Sequence, residues 1–526
     1  MTLTTPHVDT SGNPGVSTSI APQKPPVWWV ALGLVTLALA AIPVTYLVIR
    51  VGGLPLETVI DILARPRVGQ LLWNTIGLGF AVSVTAVALG VTIAVALTRA
   101  DFAVNRLWLV LSALPLAVPS YLASYGWLVV WPSLSGFWPS FILLTAVTVP
   151  YVALPVAARM RGMAGDHEKV ARTLGLGPVQ AFYRSTWPQL RPAALAGGLL
   201  VFLYTISDFG LVAMLRFPTL TWGINAAYSA SFDRSQAAIL ALLLVVLALI
   251  AVTGESRARR VVDVGRGRTK HLGAPVAPRY RRMLLAVVTL PPLIGVAVPM
   301  TGMAMRLFQA DTIRQIDVPR LLSATGYTIG VAFLAAVAAV ILALPIAALA
   351  ARYKTGVSRW LESVAYLSHG LPGIVVGLSL VFFGIRVVPA LYQTTILLVF
   401  AYAVLFMSKA LGTTRSAIEG VSTDLVRVAR SLGETPLGAW RRVTLPLALP
   451  GISIGALLVA IATMKELPAT LLLRPTGVNT LATELWSRTT ILEYGAAAPY
   501  AAVLVAVAAI PAMLLSGVRA EKESVR

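Results

Sequence analysis

Long apolar stretches, each closed by a short polar or basic segment, follow one another along nearly the whole chain. A helix that crosses a bilayer needs about 20 predominantly apolar residues. Stretches of that length predict spans at 27–50, 71–98, 107–131, 138–160, 193–215 and 236–255. The pattern then returns, with spans at 282–306, 321–351, 360–385, 391–411, 449–473 and 499–518. The alternation over about 10 residues that marks a membrane barrel strand is not seen. The expected class is all-α integral membrane.

The repetition extends to individual residues. Residues 170–192 read VARTLGLGPVQAFYRSTWPQLRP and residues 428–450 read VARSLGETPLGAWRRVTLPLALP, at a constant offset of 258. Asp208 and Glu466, and Arg216 and Arg474, share that offset, whereas Arg99 and Arg352, Arg106 and Arg359, and Pro119 and Pro372 pair at 253. A short length difference near 160–168 and 415–426 is the expected source of the change. The chain is therefore a duplication. Six spans per half is an even number, so the halves share one orientation, as parallel repeats about an axis along the membrane normal. Such a pair can enclose a pathway on its pseudo-twofold axis.

Composition supports the membrane reading. Only 12% of the 526 residues are charged, against about 25% in a soluble domain. The net charge of +21 would point to nucleic acid in a soluble protein. Here the basic residues gather in loops on one side, among them Arg99, Arg161, Arg184, Arg257, Arg352 and Arg441. By the positive-inside rule these loops and both termini are cytoplasmic, and no nucleic-acid partner is expected. The organisation is a polar tail over 1–26, a first repeat over 27–255, a basic linker over 256–281, a second repeat over 282–518 and a tail over 519–526. The first tail lacks the layout of a cleavable signal peptide.

The duplicated polar segment reads as a helix–turn–helix at the membrane surface. Asp166 is placed to cap a helix running to Leu174, and Thr423 or Asp424 to cap one before Leu432. Gly175 and Gly433 sit where a left-handed residue ends a helix. Pro178 and Pro436 suit the first turn of a second helix. That helix carries Phe182 or Trp440 as an aromatic knob, and Pro188 or Pro446 is expected to stop it. Contact with membrane lipid headgroups is one use for such a surface; docking of a partner is the other.

At this point a resemblance appears. The segment resembles the EAA loop of binding-protein-dependent ABC importer permeases: a Glu-Ala-Ala triplet, a glycine after three further residues, and a closing Leu-Pro. The matches are Ala171, Gly175 and Pro188 in the first copy, and Ala429, Gly433, Leu445 and Pro446 in the second. Lys169 and Arg427 stand at the family's glutamate position, and Trp187 replaces the leucine. The resemblance implies the type I permease fold, with about twelve helices. It implies that Ala171, Arg172, Gly175, Phe182 and Pro188, with Ala429, Arg430, Gly433, Trp440 and Pro446, form coupling helices for two ATP-binding cassette subunits. It also implies a periplasmic or lipid-anchored substrate-binding protein and a bacterial inner membrane. Met464–Thr480, with Leu481 and Ala482, is similar to the corresponding stretch of fused ferric-iron import permeases, as is Ser207–Gly210. Ferric iron is the implied cargo, although permeases for thiamine, phosphonates, polyamines and molybdate share the scaffold.

No catalytic or metal site is readable. There is no Gly-Lys dipeptide, hence no phosphate-cradling Walker loop; ATP and magnesium are expected on the partner ATPase, and no cofactor on this chain. The histidines at 7, 167, 271 and 369 lack metal-ligand spacing. Asp208, Lys465 and Glu466 fall within predicted spans, where charge is costly. The two carboxylates are candidate pathway residues for a cation; the plainer use is structural pairing with Lys465 or another helix, or snorkelling to the outer surface. The loops beginning at Arg216 and Arg474 are expected to receive the binding protein or simply to pack. Pro43, Pro115, Pro119, Pro345 and Pro372 predict kinks. A gradient-driven transporter of the major facilitator type, also built from two parallel six-span halves, is the alternative reading.

Overall fold

The computed structural model describes residues 25–100, 105–163, 166–230, 234–262, 278–314 and 316–524. The tail to residue 24 and most of the basic linker, including His271, lie outside the described residues, as do the side chains of Arg106, Asp166 and His167. The described residues are helical, without strands. Among the described residues ten helices are long and apolar enough to cross a membrane, and two bent pairs, each counted as one span, raise the number to twelve.

The bent pairs are Leu107–Ala117 with Ser120–Val130, and Gly356–Gly370 with Gly373–Arg386, turning by 91° and 100°. Both bends are made by proline. Pro119 and Pro372 force the preceding Val118 and Leu371 into extended backbone, with ψ of 124° and 120°. Pro43 and Pro345, by contrast, sit inside helices that run on past them. The predicted continuous spans at 193–215 and 449–473 are also broken. Helix Pro178–Ser207 ends before Asp208 and Pro436–Met464 ends before Lys465; Gly210–Met214 and Pro468–Leu473 follow as separate short helices.

The halves correspond element by element, which relocates one feature of the duplication. Helices Phe137–Arg161 and Thr395–Glu419 match at both ends with an offset of 258. Packing agrees: Gly197 lies against Val152 Cα, and Gly455 against Ala410 Cα. The length difference therefore lies earlier than expected from sequence. It is shared between the second limb of the bent span, which runs three residues longer in Gly373–Arg386 than in Ser120–Val130, and the loop that follows, two residues longer where the second half adds the turn Pro389–Leu391. This register makes Tyr151 the counterpart of Lys409.

The first helix of each half packs on the other half. In Val27–Gly52, Leu37 and Ala40 join a core with Ala336, Ala339 and Ala343 of helix Val318–Arg352. In Arg281–Leu307, Leu284 and Val288 join the core of Leu78, Ile93 and Leu122. Trp127 Nε1 donates to the Ile294 carbonyl at 2.8 Å. Lipid is as apolar as a side chain, so contact in the membrane depends on close fit, and small residues provide it. Helix Val318–Arg352 buries alanine at nine positions along its length, from Ala324 to Ala350 — a face made for close approach.

Candidate functional site

Two features stand out: the paired surface segments and a cavity between the halves.

In the first segment, helix Asp166–Thr173 ends in a Schellman turn. Gly175 has φ of +86°, its N–H donates to Arg172 and that of Leu176 to Ala171. The second copy repeats this, with Gly433 at φ of +91° and Glu434 N–H donating to Ala429. Its N-cap is Ser422, whose hydroxyl accepts from Asp424 N–H, rather than Thr423 or Asp424. Pro178 and Pro436 open the second helices.

Pro188 and Pro446 do not stop those helices. Each follows a π-helical turn, Phe182–Thr186 or Trp440–Thr444, and the helix continues into the membrane. A proline lacks an N–H and crowds the carbonyl four residues back; the wide turn absorbs both. Phe182 and Trp440 are half-buried and face the body of the protein rather than projecting as knobs. Arg99 lies over the Phe182 ring at 5.5 Å, and Trp29 packs edge-on against Trp440 at 5.3 Å. The outer surface instead shows Val170, Leu174 and Val179 in one copy and Val428, Leu432 and Leu437 in the other, all exposed. Arg172 and Arg430 are exposed beside them. Apolar side chains at matching positions on two surface turns make a patch suited to a partner.

The copies are fastened differently. Glu168 is buried and accepts two hydrogen bonds from Arg99, at 2.7 and 3.0 Å, and one from Thr186 at 2.8 Å. In the second copy Val426 occupies the equivalent position. Arg352 donates to the Val421 carbonyl at 3.1 Å and keeps a buried nitrogen without a partner among the described residues.

The cavity has a volume of about 510 Å³ and lies where the two proline bends face the two broken helices. Asp208 and Glu466 both line it, both nine-tenths buried. They neither snorkel nor form an ion pair with Lys465 among the described residues. Each caps the short helix that follows it. Asp208 Oδ1 accepts from Leu211 and Val212 N–H at 3.0 and 3.4 Å. Glu466 accepts from Ala469 and Thr470 N–H at 3.1 and 3.2 Å, and from the Thr470 hydroxyl at 3.0 Å. The halves solve one geometry with different pairs. Ser120 donates its hydroxyl to Asp208; its counterpart Gly373 has no side chain, and Glu466 Oε1 sits where a Cβ would be.

Sequence reasoning passed over most of the cavity lining. Tyr121, Tyr151 and Tyr204 come from the first half; His369 and Lys409 come from the second, together with Lys465. Lys409 was findable as a lone cation inside an apolar run. The tyrosines carried no such signal. His369, expected within a span, lies in the turn before Pro372, with Ser408 Oγ 3.4 Å from Nδ1. Farther out, Leu220–Ala230 and Leu481–Thr490 are helices rather than open loops, and Leu220, Leu481 and Leu485 are buried in the core. Among the described residues no cluster suits a metal ion.

Comparison with known proteins bears on both features. Residues 86–254 and 343–519 each match the family described as "Binding-protein-dependent transport system inner membrane component". The chain is 32% identical to the Fe(3+)-transport system permease protein FbpB 2 of Haemophilus influenzae over 94% of its own length and 99% of the relative's. It is 27% identical to the sulfate transport system permease protein CysW of Escherichia coli, over 36% of this chain and 70% of that one. The same identity relates it to the molybdenum transport system permease protein ModB of Mycobacterium bovis, over 44% and 94%. Both family matches include a surface segment and a cavity-lining break.

Proposed function

This chain belongs to the family of binding-protein-dependent transport system inner membrane components, as a fused, duplicated, multi-pass permease of an ABC importer, and from that membership we propose that its cargo is ferric iron. The end-to-end similarity to an iron permease supports the cargo. The two exposed apolar turns support docking of two ATP-binding cassette subunits, one on each. ATP and magnesium belong to those subunits, and this chain performs no chemistry and holds no cofactor. A periplasmic or lipid-anchored binding protein delivers cargo to the opposite face. Both termini lie in the cytoplasm in this reading, which the gathering of basic residues in loops on one side supports.

In this reading ATP-driven closure of the ATPases brings the surface segments together. Each segment is continuous with a long helix, Pro178–Ser207 or Pro436–Met464, that ends at Asp208 or Glu466 on the cavity. A push on the turn at Gly175 or Gly433 is thereby carried to the cavity wall by one rigid element. The nucleotide acts through the different affinities of the open and closed ATPase pair.

The observation that carries the proposal is the pairing of two equivalent docking turns with one shared cavity. It is tested in proteoliposomes holding this chain with its ATPase and binding protein. Radiolabelled ferric iron should enter only with ATP. Iron uptake that ignores ATP, or ATP-driven uptake of another cargo but not iron, would overturn it.

A further inference from the structure

Two arginine positions on the face opposite the docking turns are duplicated, and their copies are used differently. Arg216 and Arg474 share the offset of 258. Arg50 and Arg306 match at an offset of 256, as do Pro43 and Pro299 and Thr45 and Thr301, on the exchanged helices Val27–Gly52 and Arg281–Leu307. One copy of each is committed internally. Arg474 donates to the Val478 carbonyl at 3.4 Å, and Arg50 lies over the Phe382 ring at 5.7 Å. The other copies, Arg216 and Arg306, converge: both lie close enough to act electrostatically on the Tyr494 hydroxyl.

Arg306 and Tyr494 line a pocket of about 450 Å³ together with Arg488, Leu492 and Glu493. Charge around it is not balanced. Glu484 is buried and accepts from Arg320 at 2.7 Å. Arg488 reaches Glu484 at 3.4 Å and Glu493 at 3.7 Å. Asp317 accepts from the Arg320 backbone N–H as a helix cap. Arg306 donates to the neutral Gln309 at 3.2 Å, and neither it nor the exposed Arg216 forms an ion pair among the described residues. Four arginines thus meet three carboxylates that already have partners.

The backbone marks the same place. Among the described residues, three that are not glycine have a φ in the left-handed region; two of them are Arg216 at +53° and Leu492 at +67°. That conformation is costly for residues with a side chain, and here it is kept where it presents a cation and an exposed leucine. The pocket is also a joint between the halves, since Tyr125 of the first donates its hydroxyl to the Tyr494 carbonyl at 2.7 Å. Two guanidinium groups beside an exposed leucine suit a carboxylate on a protein surface. The carboxylate takes charge-assisted hydrogen bonds from arginine, and apolar contact around it excludes water.

We infer that Arg216 and Arg306 receive a carboxylate side chain of the binding protein at this pocket, anchoring the docked protein at the joint between the halves. The inference rests on the function proposed above, which puts this face outside and makes a binding protein the partner.

The test uses this chain assembled with its ATPase subunits in lipid nanodiscs, titrated with cargo-loaded binding protein. Arg216→Glu with Arg306→Glu should weaken binding by about tenfold or more, and added salt should weaken the parent's binding. Arg65→Glu with Arg386→Glu makes the same change of charge at two exposed arginines on this face outside the pocket. That control should bind within about twofold of the parent, because it alters only long-range steering. Exposed Asp and Glu residues of the binding protein are then changed to Lys one at a time. One such variant should bind the Arg216→Glu, Arg306→Glu transporter more tightly than the unchanged binding protein does. Parent-like binding by that transporter, an equal loss in the control, or no rescuing lysine would overturn the inference and leave the importer reading standing. A parent complex that binds no binding protein and imports nothing with ATP would overturn the proposed function, and the inference with it. If the glutamate variants fail to assemble, Arg216→Gln with Arg306→Gln replaces them in the same titration and is judged in the same way.

Discussion

At the scale of single residues, the equivalent acids Asp208 and Glu466 show what position and chemistry each reveal. Their correspondence was legible from the offset alone. Their work as helix caps was not, because a cap requires a chain break, and hydropathy is blind to a break inside an apolar run. The structure ties each acid to a neighbour 88 or 93 residues earlier in sequence: Ser120 with Asp208, Gly373 with Glu466. The longer acid reaches into space the serine would fill. This predicts a compensating exchange. Glu466→Asp shortens the cap and leaves a gap, at a cost of about 1 kcal/mol. Gly373→Ser alone drives a Cβ into Glu466 and also destabilises. Together they rebuild the first half's pair, so the double variant should recover about 1 kcal/mol or more of the summed loss. Thermal unfolding of the four detergent-solubilised proteins closes the cycle; strict additivity would show that the pairs are not equivalent. Glu168 carries the same lesson. Its sequence neighbour Lys169 occupies the family's acidic position, yet Glu168 is the one buried against Arg99, a choice set by helix phase rather than by motif alignment.

At the scale of elements, glycine and proline gave away the surface segments, and the outcome divides by mechanism. Gly175, Gly433, Pro178 and Pro436 act locally, and their turns were predictable. Pro188 and Pro446 also act locally, but a π-turn four residues back cancels their effect, and no residue pattern announces a π-turn. The positive φ at Gly433 gives the sharper prediction. A Cβ there would meet nothing within 4 Å, so a substitution is strained by backbone alone, by about 1–2 kcal/mol for most residues. Asparagine tolerates that conformation better than a β-branched side chain does. Gly433→Asn should keep most of the ATP-driven uptake, and Gly433→Val should lose most of it while the protein still elutes as a single species. Equal uptake by the two variants would remove the turn geometry from coupling.

At the scale of the whole molecule, twelve spans and two parallel halves were readable from hydropathy and repeat, but the exchange of first helices was not. Periodicity records that a helix has a packing face; it does not record which half supplies the partner. The exchange changes what the duplication means physically. The matched family regions begin at residues 86 and 343 and so leave out both first helices, the elements that bind each half to the other. Trp29 touches Trp440 in the second half's surface segment, and Pro299 presses on Gly126 in the first half's bent span. Cutting the chain within residues 263–277 severs none of these contacts. The two pieces, 1–262 and 278–526, co-expressed in one membrane, should therefore co-purify and restore ATP-driven uptake to within a few-fold of the intact chain. Removing Val27–Gly52 from the first piece should abolish co-purification, because the alanine face of Val318–Arg352 then has lipid instead of its partner, and close packing is what holds helices together there. Pieces that stay together without that helix would show that the cavity-lining helices alone hold the halves, and that the exchanged helices serve another purpose.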